Sequence, residues 1–365
     1  MSNVEEYKNL SAFHPGYYIS ELIEDMEMTQ GELAKRLDTS PVTISKIING
    51  NMSLSDEMMI KLSIMFGISI KTWMNLQKSY DEKIAEIEKE KRIDGDISVL
   101  SQIDYTYFEK IGAVPKEKKA LNRITNLCVF FKISSLSILK KKEFLTNFRT
   151  AIPNPTEKNI INANAWLQTA QSISYSMQTK PFDEQYLRDH IDEIRNMTVQ
   201  NIAVSYPRLC EIFNNAGVKF ILLPPLKCCG INGAVKWINS ETVILAMNNR
   251  GLSADKFWFS LLHEIEHVLQ KKVTITFLAT DGNIDDEFER KADEFAQNKL
   301  IPKKAYYDFL ESGRYTEDSI MLFANEQNVH PGIVVGRLQR DGYIQYYQFN
   351  NLKEKYLIDL KKKIE

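Results

Sequence analysis

Cysteine is scarce in this sequence: there are four among 365 residues, and only Cys228 and Cys229 stand together. That number and spacing exclude a disulfide-stapled scaffold and favour reduced, buried thiols. The sequence also lacks a run of about 18 apolar residues that could span a bilayer. Its first residues have no basic stretch followed by an apolar core, so they do not read as a secretory signal. We therefore expect a cytoplasmic protein without a membrane partner.

An excess of charge of one sign is also missing, because 46 basic residues face 48 acidic residues. A nearly neutral chain neither indicates nor excludes nucleic-acid binding, since a small DNA-binding module can be part of it. The composition, with 44% hydrophobic and 26% charged residues, is that of a globular protein. A chain of this length exceeds what one hydrophobic core usually supports, so two or three domains are expected.

The segment "MTQGELAKRLDTSPVTISKIINGN" predicts two short helices joined by a tight turn. Thr29 is the expected N-cap of the first helix, with Glu32 as its capping-box partner. Ser40 is the expected N-cap of the second helix, which Asn49 and Gly50 end. Two helices in this arrangement form a helix-turn-helix, whose second helix enters the major groove of DNA.

The second helix should have one polar face. Helical spacing directs Ile44, Ile47 and Ile48 inward and the small polar residues outward. A helical hairpin whose polar residues are merely solvated fits the same pattern, so the pattern alone leaves both interpretations open. The residues predicted to contact DNA are Thr29, Gln30, Ser40, Val42, Thr43, Ser45, Lys46 and Asn49.

Residues 14 to 81 resemble the DNA-binding domain of HigA-type antitoxins within the Xre/Cro family. The resemblance is carried by the opening His-Pro-Gly, the Thr-Gln that begins the second helix of the domain, the "IING" ending and the Trp-x-Asn-Leu-Gln tail. It implies an all-α, lambda-repressor-like domain over residues 1–81. It also implies a homodimer that binds double-stranded operator DNA and represses its own transcription.

The rest of the chain changes character twice. Residues 82–160 begin with a charged stretch and predict a helical connector. From Gly217 onward, "VKFILLPP", "GAVKWIN" and "ETVILAMN" predict the strands of a small antiparallel sheet. Residues 351–365 predict a basic C-terminal helix or tail. The fold class expected for the whole chain is multidomain and mainly α, with α+β structure in the C-terminal domain.

The segment "FWFSLLHEIEHVLQ" contains an H-E-x-x-H pattern. His263 and His267 stand four residues apart and so share one helix face, with Glu264 beside them. A buried helix that contains two histidines by chance is the alternative, and a chance H-E-x-x-H match is expected in about half a percent of chains with this content of His and Glu. A catalytic zinc also needs a third protein ligand. Glu289 and Asp293, which share a face of the next predicted helix, offer carboxylates for it.

The pair "HEIEH" and "ERKADEFAQNKLIP" resembles the signature of the ImmA/IrrE metallopeptidase family. The resemblance implies a zincin-like domain over residues 161–350 that holds one Zn²⁺ per chain. By position in the motif, His263, His267 and Glu289 are the zinc ligands and Glu264 is the general base. Asp293 fits the role of accepting a hydrogen bond from a ligand histidine and thereby fixing its tautomer.

Details of this site stay open in the sequence. Glu266 stands where the family often has a small residue, and its carboxylate could bind the ion, form a salt bridge or face solvent. His330, Tyr306 and Tyr343 are candidate donors to an oxyanion. The strand "GAVKWIN" is the best candidate for an exposed edge that binds an extended peptide.

Together the two resemblances describe a long HigA-type protein and support three hypotheses about function. The first is an antitoxin-like autorepressor of a toxin-antitoxin or stress-related operon, which contacts a toxin. The second is an active zinc endopeptidase that cleaves a repressor or toxin and uses the helix-turn-helix for targeting. The third is a degenerate zinc domain that serves as a scaffold or sensor.

Overall fold

The computed structural model describes residues 3–142, 156–248, 253–270 and 285–356. It is mainly helical and divides into two compact units, Met1–Asp96 and Ile97–Glu365, so the prediction of a multidomain, mainly α chain is confirmed. This division differs from the predicted one, because a single helix, α5 (Ile70–Leu100), runs through both the expected boundary at residue 81 and the observed one.

The first unit begins with a hairpin that the all-α prediction did not contain. Strand β1 (Val4–Tyr7) pairs with strand β2 (Leu10–Phe13) in antiparallel register. Ion pairs with α5 hold it, since Lys8 lies 2.7 Å from Asp94 and Lys91 lies 2.6 Å from Glu5. These partners are more than eighty residues apart in the chain, so the local sequence pattern could not reveal them.

Five helices complete this unit: α1 (Pro15–Asp25), α2 (Gln30–Arg36), α3 (Pro41–Ile48), α4 (Asp56–Phe66) and the start of α5. The predicted caps are present, since Thr29 accepts from the backbone N–H of Glu32, and Ser40 from that of Thr43. The capping box is only half formed because the Glu32 carboxylate pairs with Arg36 at 2.6 Å. Gly16 allows α1 to approach the end of α3, since a Cβ there would lie 2.0 Å from the Ile47 carbonyl oxygen.

The second unit is built on a three-stranded sheet in the order β3 (Val218–Leu222), β5 (Thr242–Met247), β4 (Gly233–Asn239). Strands β4 and β5 are antiparallel, but β3 and β5 are parallel, so the prediction of an antiparallel sheet is wrong for one of the two pairs. Strand direction was not readable from the sequence because side chains alternate with the same period in both arrangements.

The sheet lies between two layers of helices, and its central strand is buried on both sides. Val243 and Leu245 belong to a core with helices on one face, whereas Ile244 and Ala246 belong to a core on the other face. Burial on both faces explains the nearly continuous apolar run "VILAM". Residues from Val99 onward contribute to the second of these cores, so this part of the predicted connector 82–160 is part of the unit.

The helices of this unit are α6 (Tyr105–Lys110), α7 (Ala120–Phe131), α8 (Glu157–Ser174), α9 (Glu184–Asp189), α10 (Ile191–Asn196), α11 (Ile202–Asn215), α12 (Ala254–Leu269), α13 (Asp285–Leu300), α14 (Lys303–Glu311), α15 (Glu317–Glu326) and α16 (Pro331–Arg340). Short 3₁₀ turns occur at Leu136–Lys140, Met197–Val199 and Asn350–Leu352. Among the described residues, no helix combines the length and apolar character needed to cross a membrane.

The chain after α16 returns to the start of α12. The backbone carbonyl of Glu354 accepts a hydrogen bond from the N–H of Ala254. Tyr356 is 1% exposed, and its hydroxyl accepts a hydrogen bond from the Trp258 indole at 2.7 Å. The first part of the predicted tail 351–365 is therefore packed structure, while residues 357–365 lie outside the described residues.

Candidate DNA-binding helix and metal centre

Helix α3 buries an isoleucine stripe and exposes a polar face. Ile44, Ile47 and Ile48 are at most 5% exposed, whereas Val42 is 63% exposed. Of the other predicted DNA contacts, Thr29, Gln30, Ser40, Lys46 and Asn49 are exposed, and Thr43 and Ser45 are half-buried. Seven of the eight lie at the N-terminal ends of α2 and α3 or along α3, and Asn49 is the C-cap of α3. This is the surface that a helix-turn-helix presents to a major groove.

Hydrogen bonds within α3 fix several of these side chains. The hydroxyl groups of Ser40 and Thr43 lie 2.9 Å apart, and the Asn49 amide donates to the carbonyl of Ser45 at 2.8 Å. The N-terminal ends of α2 and α3 carry the partial positive charge of the helix dipole, which favours the binding of a phosphate group. Lys46 adds a full positive charge in the last turn of α3.

The second site is formed by α12 and α13, which pack closely because Ala292 and Ala296 are small and fully buried. The Nε2 atoms of His263 and His267 lie 3.0 Å apart. The Glu289 carboxylate spans them, with Oε2 3.2 Å from His263 Nε2 and Oε1 3.2 Å from His267 Nε2. In a tetrahedral zinc site with ligand distances of about 2.0–2.2 Å, neighbouring ligand atoms are separated by roughly 3.3 Å. The three residues therefore fit a zinc ion.

Both histidines have acceptors behind them that set the tautomer. His263 Nδ1 lies 3.0 Å from Asp293 Oδ1, and His267 Nδ1 lies 3.2 Å from Gln270 Oε1. Because an ionised carboxylate only accepts hydrogen bonds, the Asp293 contact requires that His263 Nδ1 donates. The Nε2 atoms of both histidines then face each other and the Glu289 carboxylate, so a positive charge among them, either a proton or a metal ion, stabilises the cluster.

The pKa shifts of His263 and Glu289 also favour positive charge at this cluster. Burial opposes a positive charge on His263, but its hydrogen bonds to Asp293 and Glu289 and the charge of Glu264 outweigh burial and raise the pKa of His263 to about 10. Burial would raise the pKa of Glu289, yet hydrogen bonds to His263 and His267 hold that pKa well below its usual range. Three carboxylates around two imidazoles thus favour positive charge at this point.

Glu264 lies beside this cluster and is 7% exposed. The start of strand β4 is in contact with it, since a Cβ on Gly233 would lie 2.6 Å from Glu264 Cγ and 2.8 Å from its Oε1. Only glycine permits this approach. Strand β4 is an edge strand of the sheet, so the predicted peptide-binding edge "GAVKWIN" begins beside the predicted general base.

The other candidate residues have interactions outside the three-residue ligand cluster. Among the described residues, the group suited to a metal consists of His263, His267 and Glu289, without Glu266. Glu266 is half-buried, and burial raises its pKa. Of the candidate oxyanion donors, Tyr306 donates its hydroxyl to Asp341 at 2.8 Å, and His330 caps α16. Tyr343, the third candidate, packs edge-on against Tyr315 at 5.9 Å.

Three further residues, which the sequence motifs do not include, lie near the candidate metal centre. Arg340 Nη2 lies 2.8 Å from Asp293 Oδ2, and its guanidinium stacks 4.8 Å from the Phe259 ring. Arg340 and Gly233 are distant in sequence from the motif and carry no local signal. Gln270 was detectable, because it stands three residues after His267 and so lies one helical turn away.

Comparison with known proteins gives two family matches. The helix-turn-helix family matches residues 19–73, and the IrrE N-terminal-like domain of the M78 peptidases matches residues 231–339. The second match contains β4, β5, α12 and α13, and therefore all the predicted zinc ligands.

Similar individual proteins match the first unit. The uncharacterized HTH-type transcriptional regulator YddM of Escherichia coli K12 is 36% identical over 75 residues, which are 20% of this chain and 78% of YddM. Virulence-associated protein I of Dichelobacter nodosus is 32% identical over 82 residues, 22% of this chain and 76% of that protein.

A solved structure of an addiction module antidote protein of the HigA family from Coxiella burnetii is 31% identical, with a TM-score of 0.21. The match covers 22% of this chain and 90% of that one. From the family matches and the curated relatives, the chain belongs to the Xre-like helix-turn-helix regulators and carries, in the same polypeptide, an IrrE/ImmA-like domain of the M78 peptidase family.

Proposed function

We propose that this protein is an antitoxin-like repressor that binds the operator of its own operon through α3. The observation that carries the proposal is the exposed polar face of α3 above its buried isoleucine stripe. Val42 suits apolar contact with a thymine methyl group, and Thr43 and Lys46 suit contact with base edges and phosphates. A toxin encoded in the same operon is the expected protein partner.

A homodimer is the form that would bind a palindromic operator. Two pairs of apolar side chains support it, each spaced by one helical turn: Ile60 and Ile64 on α4, and Ile70 and Met74 on α5. All four are between 40% and 80% exposed. A second copy of the same surface would remove these side chains from water.

Replacing Thr43 and Lys46 with alanine tests whether α3 is the DNA-recognition helix. Loss of one base-edge contact and one phosphate contact should weaken binding about tenfold or more in a gel shift on the DNA upstream of the gene. Lys78→Ala is the matched control, because Lys78 is an exposed lysine on α5. If the double variant and the wild type bind this DNA with equal affinity, α3 is not the DNA-recognition helix.

A second function, zinc-dependent peptide cleavage, is favoured by the position of Glu264. His263, His267 and Glu289 would hold the ion, and Glu264 would take a proton from water and later deliver it to the leaving amine. Zinc, when bound, supplies Lewis acidity toward a peptide carbonyl and lowers the pKa of water. Strand β4 would align an extended substrate whose cleaved bond lies near Gly233 and Glu264.

The Glu264→Gln variant tests this second function because it keeps the side-chain shape but cannot take a proton. We expect it to retain zinc while cleavage of a proteome-derived peptide mixture falls by at least about a hundredfold. Glu294→Gln, an exposed position on α13, is the control. Turnover that survives in Glu264→Gln would contradict Glu264 as the base.

A further inference from the structure

A cavity of about 580 Å³ is lined by the N-terminal half of α12 and by α16. Lys256 and Ser260 line it, and they stand seven and three residues before His263, which puts them on the same helix face. Asn232, the neighbour of Gly233, lines it as well. A cavity of this size holds a small molecule or a part of a peptide.

The cavity lining combines apolar side chains with charged side chains whose net charge is positive. Phe259, Ile301, Ile333 and Tyr346 contribute apolar surface, and the lining includes four cationic side chains and two carboxylates. Both carboxylates are already engaged by lining cations: Lys353 lies 2.9 Å from Asp255, and Arg337 lies 3.8 Å from Asp341.

Two cations therefore remain for a ligand. Lys256 is exposed at the cavity and forms no ion pair with another described residue. Arg340 uses one nitrogen for Asp293, which lies outside the lining, but a guanidinium has five N–H donors and can bind a second carboxylate. Ser260 and Asn232 add neutral hydrogen-bonding groups.

We propose that this cavity is a subsite for an acidic side chain, aspartate or glutamate, of a peptide substrate, with Lys256 and Arg340 as its cationic partners. The proposal rests on the proposed peptidase function, because Arg340 of the cavity lining contacts Asp293, which in turn contacts the predicted ligand His263. The apolar walls would contact the aliphatic stem of the side chain and exclude water, which strengthens the charge-assisted hydrogen bonds.

Binding of isolated residues tests the subsite without any need for cleavage. N-acetyl-glutamate N-methylamide and its glutamine counterpart would be titrated into the full chain and followed by saturation-transfer NMR. The glutamate probe should bind about tenfold more tightly than the glutamine probe. Lys256→Gln should remove most of this difference, whereas Lys304→Gln, an exposed lysine on α14, should not. Equal binding of the two probes, or binding of neither, would overturn the proposal.

Reversing the charge of Lys256 distinguishes a loss of ligand recognition from a loss of folded structure. Lys256→Glu should bind N-acetyl-lysine N-methylamide more tightly than the glutamate probe, a gain that misfolding cannot produce. A Lys256→Glu protein that still prefers the glutamate probe would overturn the role of Lys256. Neither titration depends on Glu264, so failure of the subsite and failure of the peptidase function give different results.

Discussion

At the scale of single residues, the candidate metal centre depends on side chains that do not reach the metal position. Asp293 accepts from His263 Nδ1 and is in turn held by Arg340, and Gln270 lies against His267 Nδ1. These contacts orient both imidazoles before any ion is bound. A ligand that is already oriented loses less conformational freedom on binding.

Asp293→Asn tests that arrangement. The amide would no longer require the His263 tautomer that directs the Nε2 lone pair at the ion, and it would remove the carboxylate that Arg340 contacts. We expect zinc affinity, measured by competition with a chromophoric chelator, to fall about tenfold to a hundredfold. Glu294→Gln on the same helix should leave it unchanged. A zinc affinity in Asp293→Asn equal to that of the wild type would mean that Asp293 has no role in orienting His263.

The sequence predicted these residues unevenly, for a physical reason. His263, His267 and Glu264 share one helix, and Glu289 and Asp293 share another, so helical spacing revealed each group. Gly233 matters through the absence of a Cβ beside Glu264, and Arg340 through a contact across 47 residues. Contacts of that kind follow from tertiary packing, which no local pattern encodes.

At the scale of elements, the turns that precede α3 and α16 share one geometry, but the helices that follow them differ in their surroundings. Asp38 after α2 and Asn328 after α15 both have positive φ, at 46° and 50°. In both turns the next N–H bonds to the carbonyl of a buried alanine at 3.0 Å: Thr39 to Ala34, and Val329 to Ala324. Each following helix begins with a capping side chain and a proline.

Burial distinguishes the two second helices. Helix α3 exposes its polar face, whereas six of the ten residues of α16 are buried, among them Val334, Val335 and Leu338. A helix covered in this way cannot enter a DNA groove. The α15–α16 pair therefore packs as part of the core and places Arg340 against Asp293 beside the candidate metal centre, a difference that turn chemistry alone did not reveal.

The segment that returns to α12 makes a prediction about stability. The Tyr356 hydroxyl accepts from the Trp258 indole in a buried position. Tyr356→Phe leaves that indole N–H unsatisfied and should lower the free energy of unfolding of this unit by about 1–3 kcal/mol, measured in urea. Tyr346→Phe, at a tyrosine that is 73% exposed, is the matched control. An equal effect of both substitutions would contradict a structural role for this segment.

At the scale of the whole molecule, composition and periodicity predicted several domains and a mainly helical fold, and both predictions hold. They did not predict how much of the region 82–160 joins the second unit. Phe108 and Leu127 pack in one core with Ile221 and Ile244 of the sheet. Which core a helix joins depends on the topology of the whole unit. An apolar helix face has the same sequence pattern in either core, so the pattern cannot predict the choice.

The proposed dimer gives a prediction at this scale. Ile64 is 80% exposed, and Ile64→Glu would place a charge within the proposed interface. We expect the variant to shift from dimer to monomer by light scattering on a sizing column and to lose affinity for a palindromic operator. Val129→Glu, at a valine that is 73% exposed on α7, controls for the added charge. A dimer that persists in Ile64→Glu would place the interface elsewhere.

The most direct test of the metal centre is the zinc content per chain, measured by mass spectrometry on proteins purified identically without added zinc. We predict about one zinc per chain in the wild type and in Glu294→Gln, and much less in Glu289→Gln, because the Glu289 carboxylate spans the two histidines. Little zinc in the wild type, or equal zinc in Glu289→Gln, would contradict the three-residue metal centre.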